Sequence, residues 1–296
     1  MKYSVLALSF LLVFTCQLAK SEEDLPNQEQ ALEWALSFWE SLNRQQGEVK
    51  LPNDVVTLDI PDEFYYLNPG DSEKVLVEVW GNPAGAGQTT LGMLFPSEVT
   101  PFDEGAWAVT IEYQEDGYVS DEDADEIDYQ SLLSQMKDET EEASEQRVQH
   151  GYPAIQLVGW ASAPYYDKQA HKLHWAKELK IGEQSVNTLN YNIRVLGRQG
   201  VLILNFIAGM DQKALIDTKI DTVLSLAEFD DGSRYEDFDP SVDEVAAYGL
   251  GALVAGKLMA KAGLFAAALM FLKKFGVLFV VAGGALVGKY FKRKKA

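Results

Sequence analysis

The chain has 296 residues, with 25 Lys and Arg against 45 Asp and Glu, three His and a single Cys. A net charge of −20 argues against nucleic-acid binding, which needs a basic surface to neutralise phosphates, and a lone thiol excludes an internal disulfide framework. The charge is divided along the chain: all 45 acids fall within residues 22–244 together with 14 basic residues, whereas residues 245–296 carry nine basic residues and no acid.

Residues 1–21 combine Lys2, an apolar run over 5–14 and the triplet Ala19-Lys20-Ser21 before an acidic stretch, the layout of a secretory signal peptide. Phe14 occupies a place where a lipoprotein signal requires a small residue, so lipidation of Cys16 is disfavoured. Cleavage after Ser21 leaves a mature chain without cysteine. Residues 22–47 hold an N-terminal helix that Asn27 caps with Gln30, whose apolar face is Leu32, Leu36, Trp39 and Leu42 and which Gly47 ends.

Residues 48–240 read as an exported α+β domain with possible halves at 48–115 and 116–240. In the first half, runs at 55–60, 75–80, 89–95 and 107–113 alternate with Pro-, Asn- and Gly-rich turns and predict antiparallel strands. The loop from Gly81 to Gly87 is glycine-rich, but it lacks both the GxGxxG spacing and a GK[ST] ending, so it reads as a turn and not as a phosphate cradle. Asp121, Asp123 and Asp125 occupy the first three ligand positions of a calcium loop. Glu126 then stands where the loop needs Gly and Leu132 where a bidentate Glu should close it. The competing role is helix capping by Ser120 or Asp121; a weak calcium site is the residual, and no other cofactor is expected.

The helix that follows spans 125–148 and buries Ile127, Tyr129, Leu132, Leu133, Met136 and Ala143. Strands are predicted at 154–160, 172–180, 188–196 and 201–208, with a tight turn at Gly197-Arg198-Gln199-Gly200. Residues 201–206 are apolar on both faces apart from Asn205, the pattern of a central strand, and a helix at 213–228 completes the domain. His171 and His174 point to opposite faces of a strand, the wrong arrangement for a shared metal. No nucleophile motif stands out, and acid pairs are too abundant to single one out, so enzymatic activity has no support. Trp80, Trp160, Trp175 and Tyr191 are the candidates for an aromatic-lined groove holding a ligand or partner.

Residues 241–296 read as a membrane anchor. Ser241-Val242-Asp243-Glu244 has the form of a capping box, and a helix over 242–272 would be about 46 Å long, enough to leave the surface and cross a ~30 Å hydrocarbon core. The tail is basic, so an exported domain with a cytoplasmic C-terminus obeys the positive-inside rule. Two placements of a single crossing fit, one over 249–272 and one centred later, with a two-span hairpin ranked third. Gly249, Gly256 and Gly263 with Lys257 and Lys261 mark a face for close helix association.

Several runs carry a family resemblance: Trp80-Gly81-Asn82-Pro83; Gly117-Tyr118-Val119 with Asp121 and Asp123-Ala124; Val158-Gly159-Trp160-Ala161 with Pro164-Tyr165-Tyr166-Asp167; and Leu189-Asn190-Tyr191-Asn192 with Arg194-Val195-Leu196-Gly197-Arg198. In this order they resemble the bacterial family of uncharacterised membrane-anchored proteins with a domain of unknown function. The resemblance implies an envelope protein with a C-terminal anchor and supplies no reaction. The element order of the second half is similar to a PsbP-like α/β/α sandwich.

The expectation is therefore a protein of the bacterial inner membrane with its large domain periplasmic. Its domain acts as a non-enzymatic protein-interaction module, its tail associates laterally in the lipid bilayer, and its partner is itself or another envelope protein. An envelope enzyme or small-ligand receptor using the aromatic groove is the alternative.

Overall fold

A computed structural model describes residues 28–255. The expected signal peptide, most of the expected anchor, and Gly256, Lys257, Lys261 and Gly263 lie outside the described residues. The chain divides into two compact units, Met1–Leu42 and Asn43–Ala296. Helix α1 (Gln28–Ser41) is the described part of the first. Its buried side is Ala35, Phe38 and Leu42, whereas Leu32 and Leu36 are exposed, so the apolar stripe is rotated from the one the leucines suggest.

The second unit is built on an eight-stranded antiparallel sheet in the order β1-β4-β5-β6-β10-β9-β8-β7. Its strands are β1 (Arg44–Gln45), β4 (Phe64–Leu67), β5 (Thr90–Pro96), β6 (Ala108–Gln114), β7 (Ile155–Asp167), β8 (Lys172–Ile181), β9 (Thr188–Leu196) and β10 (Val201–Gly209). A small antiparallel sheet pairs β2 (Gly47–Lys50) and β11 (Ala227–Phe229) on either side of β3 (Val56–Ile60). Mixed α+β architecture is as expected. The first-half strands extend the second-half sheet through β6–β10, whose pairing runs from Val201↔Gln114 to Ile207↔Ala108.

Each face of the large sheet supports its own core. Leu202, Leu204 and Phe206 join Tyr191, Ile193, Val109 and Ile111 on one face, closed by Ile216, Ile220 and Val223 of α4 (Lys213–Leu226) and by the small sheet. On the other face Val201, Ile203, Leu173 and Trp175 meet Leu132, Leu133 and Met136 of α3 (Tyr129–Gln149), together with Leu250, Leu253 and Val254 of α5 (Leu250–Ala255).

Three local expectations are corrected. Residues 75–80 form no strand: Asn68 caps α2 (Pro69–Lys74), accepting a hydrogen bond from Asp71 N at 3.0 Å with Pro69 in the first turn, and the helix runs on as a π turn over Val75–Val79. A strong cap followed by a buried Val75-Leu76 pair outweighs the β-branched alternation. Helix α3 is capped by Asp128, which accepts from Gln130 N and Ser131 N at 3.0 Å, not by Ser120 or Asp121. Inside it Ser144 is buried in place of Ala143, because its hydroxyl accepts a bond from Ile155 N at 2.8 Å and ties the helix to β7.

The third correction concerns residues 241–249, which are not helical. Instead they run beside residues 116–123. Tyr118 N donates to Glu244 O and Ala246 N to Tyr118 O, both at 2.8 Å, forming a parallel bridge. Gly117, with φ of +91°, is required there: a Cβ would lie 2.8 Å from the Glu244 carbonyl oxygen. Asp243, whose carboxyl the Arg198 guanidinium holds down at about 2, receives that guanidinium in a two-pronged contact at 2.7 and 3.1 Å. Helix α5 then starts only at Leu250, with Asp123 Oδ1 accepting from Leu250 N at 3.1 Å.

Residues 243–254 thus belong to the second core, and any soluble version of the domain must extend through them. Leu250→Ala should cost about 2–4 kcal/mol, as for a fully buried leucine, while Val242→Ala, at an exposed position, should stay within about 0.5 kcal/mol of wild type. Denaturant unfolding of the two variants checks this difference.

Candidate functional site

Facing strand residues and residues two apart share a side of a sheet, so register fixes what surrounds each side chain. Lys177 lies opposite Asn190 on one flank and Trp160 on the other. Trp175 faces Asn192, Asn192 faces Asn205, and Asn205 faces Thr110. Arg194 and Glu112 lie either side of Ile203. Together these residues make one polar strip across β7, β8, β9, β10 and β6, on the side that carries the second core. The reverse side of the same strands holds Tyr191, Ile193, Leu204 and Phe206.

The amides are tied to one another. Asn190 Nδ2 donates to Asn205 Oδ1 at 2.6 Å, and Asn192 Nδ2 donates to Asn190 Oδ1 at 3.0 Å. Asn192 and Thr110 are each 4% exposed; Lys177, Arg194, Asn190, Asn205 and Glu112 are half-buried. The Arg194 guanidinium lies 4.8 Å above the Trp175 ring, a cation–π contact, and donates to Ile193 O at 3.3 Å. Among the described residues neither Lys177 nor Arg194 forms an ion pair. Burial pushes the Lys177 ammonium down to about 8, with Arg194 adding repulsion. Burial likewise pushes Arg194 down to about 10, opposed by Glu112 and Tyr248. The indole Nε1 atoms of Trp160 and Trp175 are buried and have no acceptor among the described residues.

Two of the four aromatic candidates, Trp160 and Trp175, therefore come together on this strip. Tyr191 points to the reverse side, 6.1 Å from the Phe206 ring. Trp80 ends the π turn after α2, packs 5.8 Å from Phe95 and donates its Nε1 hydrogen to Pro101 O at 3.1 Å. Sequence reasoning missed Lys177, Asn190, Asn192, Arg194 and Asn205. Their signal is the polar alternation Asn-x-Asn-x-Arg inside a strand whose intervening residues are all apolar.

The three aspartates of the calcium expectation go to different tasks. Asp121 accepts a hydrogen bond from Tyr166 Oη at 2.8 Å, Asp123 caps α5, and Asp125 sits in a 3-10 turn. Among the described residues no group of three His, Cys, Asp or Glu side chains converges as for a metal. Gly249 abuts Asp123, where a Cβ would collide with its carboxylate. The loop from Gly81 to Gly87 does wrap an anion, but an internal one: the Glu73 carboxylate accepts from Gly85 N at 2.8 Å and from Gly87 N.

The two histidines occupy opposite sides of the sheet. His171, at φ +52°, stacks 4.1 Å from Tyr235, with its Nδ1 3.2 Å from Tyr166 Oη. His174 is 4% exposed, stacks on Tyr165 at 4.7 Å, and its Nδ1 has no partner among the described residues. Burial depresses His174 to about 4, with Lys172 adding repulsion. A histidine with a lowered folded pKa binds fewer protons than the unfolded chain below about 6.5, so stability declines as pH falls from there towards 4. The expected slope from this group is up to about 1.4 kcal/mol per pH unit. Urea unfolding of wild type and His174→Phe across that window should show the slope reduced in the variant.

Comparison with known proteins places these features in context. No curated protein matches the chain in sequence. Among solved structures, cyanobacterial PsbP (CyanoP) from Synechocystis sp. aligns with 64% of this chain and 93% of its own at 10% identity and a TM-score of 0.34. The Ran-binding protein Mog1p of Saccharomyces cerevisiae aligns with 60% of this chain and 85% of its own at 11% identity and a TM-score of 0.26. Residues 43–284 match the family described as protein of unknown function (DUF2167), and the chain belongs to that family.

Proposed function

We propose that the chain is a membrane-anchored protein of the bacterial envelope whose exported domain is a non-enzymatic binding module, with the polar strip of β6 to β10 as its recognition element. The leader-like residues 1–21 and the acid-free, lysine-edged residues 245–296 support export with a C-terminal anchor. Lateral association through Gly256 and Gly263 with Lys257 and Lys261 belongs to the same reading, whereas Gly249 packs against Asp123 in the domain. The four strands β7 to β10 between α3 and α4 we read as a PsbP-like sandwich, on element order.

One observation carries the binding assignment. Asn190, Asn192, Asn205, Lys177 and Arg194 occupy positions on a largely covered sheet face where packing alone would select Val, Ile or Leu. Burying amides and unpaired cations costs stability, and apolar residues of similar volume are often neutral or stabilising in such places. Residues that break the packing rule are where function is to be sought. The partner is another envelope protein or a second copy of this chain. A small-ligand receptor is the second reading, favoured by the two indole N–H groups that lack acceptors beside the cations.

Asn192→Leu combined with Asn205→Leu in the full-length chain should keep or raise the melting temperature. The same double variant should lose the specific crosslinks that wild type forms in cells, identified by mass spectrometry. Identical crosslinks from both proteins would remove recognition from the strip.

A further inference from the structure

Resting on the strip as the recognition element and on its second reading as a ligand receptor, we propose that it binds a phosphate group, held between Lys177 and Arg194 with the indole N–H groups of Trp160 and Trp175 as further donors. Charge is the first argument. Residues 22–244 contain about three acids for every base, and Lys50, Lys74, Lys213, Arg198 and Arg234 each pair with a carboxylate. Lys177 and Arg194 have no such pair among the described residues; other bases also lack one, but these two share the strip, on neighbouring strands with Arg194 four residues along β9 from Lys177's partner Asn190. They are the two cations of the strip, and Glu112 is the acid acting on Arg194.

Hydrogen-bonding capacity is the second argument. Trp175 is 2% exposed, and neither its Nε1–H nor that of Trp160 has an acceptor among the described residues. An unsatisfied buried donor is costly, and both donors belong to residues on Lys177's side of the sheet: Trp160 is its partner in register and Trp175 lies two residues before it on β8. Arg194 has a pre-set orientation over the Trp175 ring and donates a single hydrogen bond, to Ile193 O, leaving the rest of its fork to meet an oxyanion. A phosphate monoester, with a charge near −2 and three acceptor oxygens, matches two cations and several N–H donors better than a monocarboxylate does. The depressed position of Lys177, from burial and Arg194, is what an anion between the two would relieve.

The same phosphate chemistry can come from a soluble molecule or from a lipid headgroup, and one set of measurements separates them. Full-length protein in uncharged detergent is titrated with inorganic phosphate at constant ionic strength, against acetate, with tryptophan fluorescence and melting temperature as readouts. Phosphate should change both in the wild type and acetate neither. Lys177→Met should weaken the response at least about tenfold, the effect of losing one charge-assisted hydrogen bond, and Lys177→Arg should largely keep it. Arg194 is left intact because its stacking on Trp175 is structural as well.

In a parallel arm, the protein is reconstituted into phosphatidylcholine vesicles with and without phosphatidic acid. A fluorescence change confined to the phosphatidic acid vesicles, lost in Lys177→Met and reversed by inorganic phosphate, assigns the group to a lipid; a response to inorganic phosphate with none to phosphatidic acid assigns it to a soluble molecule. Equal responses of wild type and Lys177→Met, or none in either arm, would overturn the proposal. If the asparagine double variant still loses its crosslinks in that case, only the phosphate assignment fails; if it keeps them, the strip is not the recognition element at all.

Discussion

The pairing of β10 with β6 is the constraint on which the second unit depends. Without it the strands before residue 115 and those after 154 would be separate sheets, each with an open edge and half a core. With it, one strand that is apolar nearly throughout feeds both sides: Leu202, Leu204 and Phe206 enter the core under α4, and Val201 and Ile203 enter the core under α3. Asn205 breaks the run at the point where β10 crosses the polar strip. A slip of one residue in this register would exchange the two sets, carrying Asn205 into the first core and Phe206 into the strip, so the fold and the candidate site are specified by the same pairing.

The later strands were legible because their chemistry is repetitive. Thr188–Leu196 was placed to the residue, and the turn after it was read from two glycines; in the structure Gly197 N donates to Gly200 O at 2.8 Å. Residues 75–80 were misread because Val-Leu-Val-Glu-Val alternates like a strand, and the decisive signal, Asn68 as a cap with Pro69 after it, lies outside the run. Strand β4 was missed because four consecutive buried residues, Phe64–Leu67, carry no alternation. The fate of 241–249 could not be read locally at all: a capping-box pattern was present, yet Asp243 is claimed by Arg198 and the bridge from Tyr118 fixes an extended path. Long-range partners overrode a sound local rule.

The candidate site was half legible for a similar reason. Aromatic residues attract notice, and of the four grouped by residue type alone, Trp160 and Trp175 share the strip while Tyr191 and Trp80 do not. Strand parity separates Tyr191 from the others, since it alternates with Asn190 and Asn192. The asparagines and the two cations, which look ordinary in a polar sequence, become unusual only once the sheet around them is known to be covered. Much of the acidic excess, by contrast, has local structural employment: Asp128 and Asp123 cap helices, Glu73 fills a loop of amides, and Asp71 holds Asn43 N at 3.0 Å and Lys74 Nζ at 2.7 Å.

The two margins of the large sheet are very unequal. One is β1, two residues long. The other is β7, thirteen residues long, and its register with β8 shifts three times, between Leu157 and Gly159, Trp160 and Ser162, and Ser162 and Tyr165. Each shift breaks the even spacing of outward amides and carbonyls that a foreign strand would need for docking. Crowded side by side, neighbouring molecules therefore find at neither margin of this sheet a regular template along which one sheet could continue into the next.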